Sequence, residues 1–357
     1  MLRGAKVEYL SWARHAQSTP RRVSLLYSGL STPLDRIPFE ITDIERAIPP
    51  VYEDAVLLEG LSRRYGVPVS DVFPALGTSQ GIFLALAAIV KPGDEVLTER
   101  PGYEPFREVS RALGATVRFF PRVPEDGFAV DPERVLREWR PGVAVVVIAD
   151  LHNPTGAMAG DEALGALARE LESRGTMLLI DEVYRDFRPG PVGTGRRLGP
   201  NVVTTSSFTK VYGLGNLRAG WILGPPSVIA RLRQMMDVFE SIGPTPAQAF
   251  FRRSFEIVDT LREEALARAA AGWAVVDGWA KEESRVRVSK PAGGIIAWVR
   301  LPEGRTGSNV ARQLETEQDV AVVPGRFFED EDSGVRVGFG GAPDATQRGL
   351  EALSRVL

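Results

Sequence analysis

Residues 144–184 read AVVVIADLHNPTGAMAGDEALGALARELESRGTMLLIDEVY. Two apolar runs, Ala144–Ile148 and Met177–Ile180, are short and bounded by Gly, Pro, Asp or Asn, as buried parallel strands should be. Between them Asp161–Arg174 carries a helical pattern. Outward from this unit the same alternation continues. Strand-like runs lie at Glu95–Leu97, Val202–Thr205 and Gly220–Leu223, and helical segments at Gly81–Val90, Tyr103–Leu113 and Asp131–Trp139. The pattern predicts an α/β fold, with a mostly parallel sheet sandwiched by helices.

From about Pro225 the pattern changes. Long helical segments, Ser227–Ser241 and Pro246–Glu282, are separated by Pro244 and Pro246, and strand-like segments follow at Arg285–Val288, Ile295–Arg300, Val320–Val323 and Val335–Gly338. These predict a smaller α+β domain. The first 45 or so residues are polar and irregular, with Pro20, Pro33 and Pro38, and read as an arm packed on another surface. The expected division is an arm or part of the small domain at 1–45, a large domain at 46–245 and a small C-terminal domain at 246–357. No segment is low-complexity, and no repeat of solenoid period is present.

Composition narrows the chemistry. The chain has 357 residues, 43 Lys+Arg against 46 Asp+Glu, 44% hydrophobic residues, no Cys and two His. Its length suggests about two domains. Absence of Cys excludes disulfides, thiolate metal sites, Fe–S clusters and cysteine nucleophiles. With only His15 and His152, no metal site is expected. The near-neutral charge balance, with basic residues scattered, argues against a nucleic-acid partner. The longest apolar run, Ile82–Val90, is less than half of the ~20 residues needed to span a bilayer. The opening MLRGAKVEYLSWARH lacks a long apolar core and a small-residue cleavage site, so a cytoplasmic protein is expected.

Four stretches could carry chemistry. The first is Ser206-Ser207-Phe208-Thr209-Lys210, followed eight positions on by Arg218. A lysine just after a buried strand can be partly desolvated, which lowers its pKa and suits a Schiff-base nucleophile. Arg218 adds a guanidinium fork that matches phosphate oxygens. A solvated loop lysine would read the same way. The second is Leu76-Gly77-Thr78-Ser79-Gln80-Gly81 before an apolar helix, where free N–H groups and the helix dipole favour a phosphate. Ordinary N-capping explains the same residues.

The third is Met177-Leu-Leu-Ile-Asp181-Glu182-Val183-Tyr184. An ionised Asp181 at the carboxyl end of a central strand needs a partner, and a pyridinium N–H would be one. A helix N-cap or a magnesium-binding carboxylate is the alternative. The fourth is Asp150-Leu-His152-Asn153-Pro154-Thr155-Gly156. Asn153 before Pro is pushed toward extended geometry, so its amide could donate into a cleft. A plain Asn-Pro-Thr-Gly turn is the other reading. His152 reads as a neighbour that shapes the site.

In their order, these four pieces together with Arg100-Pro-Gly-Tyr103, Pro291-Ala-Gly-Gly-Ile-Ile-Ala-Trp298 and Val335-Arg336-Val-Gly-Phe resemble the class I/II aminotransferases among the fold-type I pyridoxal-phosphate enzymes. The likeness covers roughly residues 20 to 357. It implies that Lys210 forms the Schiff base with pyridoxal 5'-phosphate and moves a proton, that Asp181 holds the pyridine N–H, and that Tyr184 and Asn153 hydrogen-bond the ring's phenolic oxygen. Tyr103 would stack on the ring, adding ~0.5–1.5 kcal/mol. The phosphate would sit on Thr78, Ser79 and Gln80, with Ser207 and Arg218 completing the cup. Arg336, with Asn153 beside it, would clamp the substrate carboxylate.

The resemblance also implies a homodimer, with Tyr52 the candidate for a tyrosine reaching a neighbouring phosphate. A substrate-facing loop is expected near Ser28–Pro33, in a form other than Gly-x-Pro-Asp. No second arginine marks a dicarboxylate substrate. The function so implied is transfer of an amino group from an α-amino acid to a 2-oxo acid. The alternative is a β-lyase, decarboxylase or cyclising enzyme of the same fold. A ligand-sensing module fused to a winged helix is disfavoured because no basic helix-turn-helix precedes the catalytic pattern. A dehydrogenase is disfavoured because no Gly-x-Gly-x-x-Gly turn follows a strand.

Overall fold

The computed structural model describes residues 6–45, 53–240 and 243–357. Tyr52 lies outside them. The N-terminal stretch expected to be irregular instead opens on an 11-residue helix, α1 (Glu8–Ser18), followed by a short strand, β1 (Val23–Ser24). No local side chain caps α1. Its first N–H groups, on Glu8 and Tyr9, donate to the Glu104 carboxylate, 96 and 95 residues away. That cap comes from tertiary structure, while the helix itself is spelled by Tyr9, Trp12, Ala13 and Ala16 at i, i+3, i+4 and i+7. Two more helices, α2 (Thr42–Glu45) and α3 (Ala55–Tyr65), lead to the main sheet.

Seven strands form that sheet: β2 (Val72–Ala75), β3 (Glu95–Arg100), β4 (Thr116–Pro121), β5 (Val143–Ala149), β6 (Met177–Asp181), β7 (Val202–Ser207) and β8 (Gly220–Leu223). Their order is β2-β8-β7-β6-β5-β3-β4. All neighbouring pairs are parallel except those made by β8, which runs antiparallel to both β7 and β2. The sequence reading had placed Gly220–Leu223 among the parallel strands. The loop from β7 to β8 holds no crossover helix, and without one the chain returns antiparallel. That same loop carries Lys210.

The period-two geometry of β5 sends Val145 and Val147 to one face, Val146 and Ile148 to the other. The first face is covered by α4 (Thr78–Ile89), α5 (Glu104–Ala112) and, downstream, Pro226–Phe239, through Ile82, Phe106 and Ile229. The second is covered by α6 (Pro132–Glu138) and α7 (Asp161–Glu172), through Val135, Leu164, Leu167 and Leu171. This is the predicted sandwich of a mostly parallel sheet between helices.

After α8 (Pro226–Phe239) the segment read as one helix over Pro246–Glu282 is two, α9 (Thr245–Ser254) and α10 (Val258–Glu282). The break lets Phe251 and Phe255 pack edge-on against Phe208, at 4.9 and 5.7 Å, beneath the Lys210 loop. A four-stranded antiparallel sheet follows, built from β9 (Arg287–Val288), β10 (Ile296–Arg300), β12 (Val323–Pro324) and β13 (Gly334–Gly338). Helix α11 (Gly307–Gln318) precedes β11 (Val320–Ala321), which pairs in parallel with β1, and α12 (Pro343–Val356) ends the chain. Among the described residues no helix is long and apolar enough to cross a membrane.

Candidate active site

A cavity of about 240 Å³ opens where the carboxyl ends of β5, β6 and β7 meet α4, α1 and the N-terminal loop. Such ends are where open α/β sheets bind ligands. Its lining contains Thr78, Ser79, Tyr103, Asn153, Asp181, Tyr184, Ser207, Lys210 and Arg218 from the sequence reading. Gln80 and Arg336 are not in the lining. The Gln80 side chain turns back to accept the Leu76 N–H at 2.6 Å, and Arg336 lies fully buried behind Asn153 and Tyr9.

Lys210 reaches the cavity from the β7–β8 loop, with Nζ 3.3 Å from Ser28 Oγ and 5.7 Å from the centre of the Tyr27 ring. The loop is strapped down by Leu30 N–H donating to the Lys210 carbonyl at 3.0 Å. Burial, aided by Arg336 and Arg218 and opposed by Asp181, brings the Lys210 pKa down to about 8. A lysine so placed gives up its proton more readily than a solvated one.

Asp181 ends β6 with its side chain buried. Among the described residues its one hydrogen-bond donor is the Val183 N–H, 3.1 Å from Oδ1, so Oδ2 is left for an occupant of the cavity. Burial, reinforced by Glu99 and Glu182, pushes its pKa up to about 7. In the cofactor-free protein, therefore, ionising this group costs stability as pH rises from about 4 through 7, and the loss persists above 7. Asp181→Asn should melt higher than wild type at pH 8, by on the order of a few kcal/mol of unfolding free energy. Its advantage should vanish near pH 4, which thermal unfolding across pH would measure.

The start of α4 faces the same cavity. No side chain caps it: the Thr78 hydroxyl donates sideways to Ser207 Oγ at 2.9 Å, leaving first-turn N–H groups unpaired by any local cap. Arg218 sits over this turn, donating to Leu76 O at 2.8 Å and Gly215 O at 3.2 Å. Gly77 makes the close approach possible. Its φ is +83°, and a Cβ there would lie 2.5 Å from Arg218 Nη2. The unpaired N–H groups, hydroxyls and guanidinium together form an anion cup.

Asn153 is oriented by Arg336, whose Nη1 donates to Asn153 Oδ1 at 2.9 Å. A guanidinium has only donors, so Oδ1 is fixed and the amide NH2 is the group left for the cavity. The Arg336 Nη2 donates to Tyr9 Oη at 2.9 Å and Leu26 O at 3.2 Å, while its Nε has no partner. Tyr184 Oη donates to Ser28 O at 2.8 Å. Its proton must be re-aimed before it can serve an oxygen in the cavity. His152, read from the sequence as a neighbour that shapes the site, is pinned between Thr155 Oγ1 (2.7 Å) and Pro101 O (2.9 Å). Burial and Arg122 hold it neutral, so Nε2–H donates to the Pro101 carbonyl and steadies the turn before Tyr103.

The sequence reading missed Tyr9, Leu10, Ala13, Arg14 and Gln17, which line the cavity from α1. The spacing of Tyr9, Trp12, Ala13 and Ala16 at i, i+3, i+4 and i+7 was the signal that could have found the helix, although no local cap marks its start. Tyr27 and Ser28 also line the cavity, the latter at the start of the loop expected to face substrate.

Residues 46–353 match the family profile described as aminotransferase class I and II. The chain belongs to the class I and II aminotransferases. It is 30% identical to capreomycidine synthase of Streptomyces vinaceus, over 81% of this chain and 75% of that protein. It is 29% identical to the aspartate/prephenate aminotransferase of Thermus thermophilus, over 84% and 80% respectively. With histidinol-phosphate aminotransferase of Dinoroseobacter shibae it shares 33% identity over 60% of this chain, spanning 59% of that protein. Among solved structures, this aminotransferase chain is similar to a double mutant of T. thermophilus aspartate aminotransferase, with TM-score 0.86, 25% identity and coverage of 100% and 97%. It is equally similar to the PLP-dependent cyclase OrfR, with TM-score 0.87, 25% identity and coverage of 99% and 97%. The fold is that of the fold-type I pyridoxal-phosphate enzymes.

Proposed function

We propose that the chain is a pyridoxal-phosphate-dependent aminotransferase, moving an amino group from an α-amino acid to a 2-oxo acid, with Lys210 as the cofactor's attachment point. One observation carries this reading: a buried lysine of lowered pKa, an open buried carboxylate and an uncapped anion cup line one cavity. When bound, the cofactor supplies an aldehyde that takes up an amino group and a ring that delocalises the electrons released at Cα.

The residues fit that group. The N–H groups of the first turn of α4, with Thr78, Ser207 and Arg218, would hold its phosphate. Asp181 would keep a proton on the ring nitrogen; the positive charge there returns the carboxyl to its ionised form. The Asn153 amide would donate to the phenolic oxygen, joined by Tyr184 once its proton leaves Ser28. Tyr103 would cover a ring face. Lys210 Nζ, freed when substrate binds, would take the proton from Cα and return it elsewhere. The Arg336 fork would hold the substrate carboxylate through the unpartnered Nε and through Nη2, which would exchange Tyr9 and Leu26 for a carboxylate oxygen.

The likeness to the cyclase OrfR supports a second reading, in which the same residues serve a cyclisation. Cofactor-loaded protein should be incubated with single amino acids and a 2-oxo acid acceptor, and products identified by mass. Appearance of the donor's keto acid together with the aminated acceptor is the expected outcome. A cyclic product without keto acid would establish the second reading, and failure to bind pyridoxal phosphate would overturn both.

A further inference from the structure

Helix α1 separates two cavities. Its Tyr9, Leu10, Ala13, Arg14 and Gln17 line the catalytic one, whereas Trp12 and Ala16 line a second cavity of about 170 Å³ against α11 and the β11–β12 segment. This second cavity is cationic. Arg21, Arg312 and Arg326 line it beside a single carboxylate, Glu315, already paired with Arg21. Arg312 and Arg326 are exposed: Arg312 donates to Asn309 Oδ1 at 3.1 Å and the Arg326 Cζ lies 4.0 Å from the centre of the Phe327 ring, and among the described residues neither has a carboxylate partner.

Two buried donors in its lining are unsatisfied. The Arg21 side chain is 9% exposed, yet its Nε has no hydrogen-bond partner, and neither has the buried Ser308 Oγ. Buried donors are normally paired, and leaving one unpaired costs on the order of 1–3 kcal/mol. Uncompensated guanidinium groups, unsatisfied donors and room for a small molecule call for the same occupant, an oxyanion.

We propose that this cavity is a second ligand site, taking a small phosphate- or carboxylate-bearing molecule, and that its occupant braces α1 from the side opposite the catalytic cavity. The site uses none of the residues assigned above to cofactor or substrate. An anion between Arg21, Arg312 and Ser308 would join α11 to the segment that follows α1, holding Tyr9 and its helix over Arg336.

The test titrates inorganic phosphate, then acetate, into cofactor-loaded protein by calorimetry, with hydrogen exchange read on α1 amides. Wild type should bind one phosphate at millimolar concentrations and show slower α1 exchange. Arg312→Gln, on the exposed face of α11, should weaken phosphate binding about 10-fold or more, as loss of a charge-assisted hydrogen bond predicts. Ser308→Ala should weaken it less, and Arg218→Gln, which alters only the catalytic cup, should leave it intact. Saturable acetate binding that Arg312→Gln weakens would mark the site as a general carboxylate and phosphate reader; phosphate binding alone would narrow it to phosphates. No phosphate binding in wild type, equal binding in Arg312→Gln, or loss in Arg218→Gln would overturn the site, and binding without slower α1 exchange would overturn the brace.

Discussion

Lys210→Ala should leave a folded protein that turns over amino donor at least about 10²- to 10⁴-fold more slowly, the loss expected from a positioned proton carrier alone. Borohydride should fix cofactor to the Lys210 peptide in wild type and to none in the variant. The fold should survive because the β7–β8 loop is held by contacts other than the side chain: Leu30 N–H on the Lys210 carbonyl, and Phe208 in the aromatic cluster with Trp221 and Phe251. An added primary amine should restore part of the rate. Retention of wild-type turnover by Lys210→Ala would remove the lysine from the mechanism.

Arg336→Lys should lower kcat/KM for the amino donor by on the order of 10²-fold or more. Charge is conserved, but the planar fork is not, and a point ammonium cannot grip both carboxylate oxygens and Asn153 together. Because Arg336 fixes Asn153 Oδ1 at 2.9 Å, the variant should also bind cofactor more weakly. Steady-state kinetics and cofactor titration measure the two effects separately. A protein altered in substrate KM with unchanged cofactor affinity would show that Asn153 keeps its orientation without Arg336, and unchanged kinetics would take the carboxylate role from Arg336.

The βα alternation around residues 144–184 was legible because β5 and β6 are buried on both faces and α7 packs one face on the sheet. Burial leaves its mark directly on composition. The direction of β8 was not legible, since an apolar run of four residues looks the same either way. Nor was the start of α1, whose cap lies at Glu104. At the site, residues at strand ends and tight turns could be named from local motifs: Asp181, Asn153, Lys210, Thr78. Tyr9 and Arg14 could not, because only packing of the N-terminal helix onto the sheet brings them to the cavity.

Residue chemistry was therefore fixed by sequence. The chain lacks cysteine and has two histidines, one pinned as neutral imidazole, so lysine, arginine, carboxylate and hydroxyl groups make up the polar lining of the cavity. Tertiary structure decided the states of those residues. The lowered pKa of Lys210, the open oxygen of Asp181 and the fixed face of Asn153 arise from burial and from partners more than 20 residues distant, such as Arg336 and Glu99. A pKa depends on desolvation and neighbouring charge, and neither exists until the chain has packed.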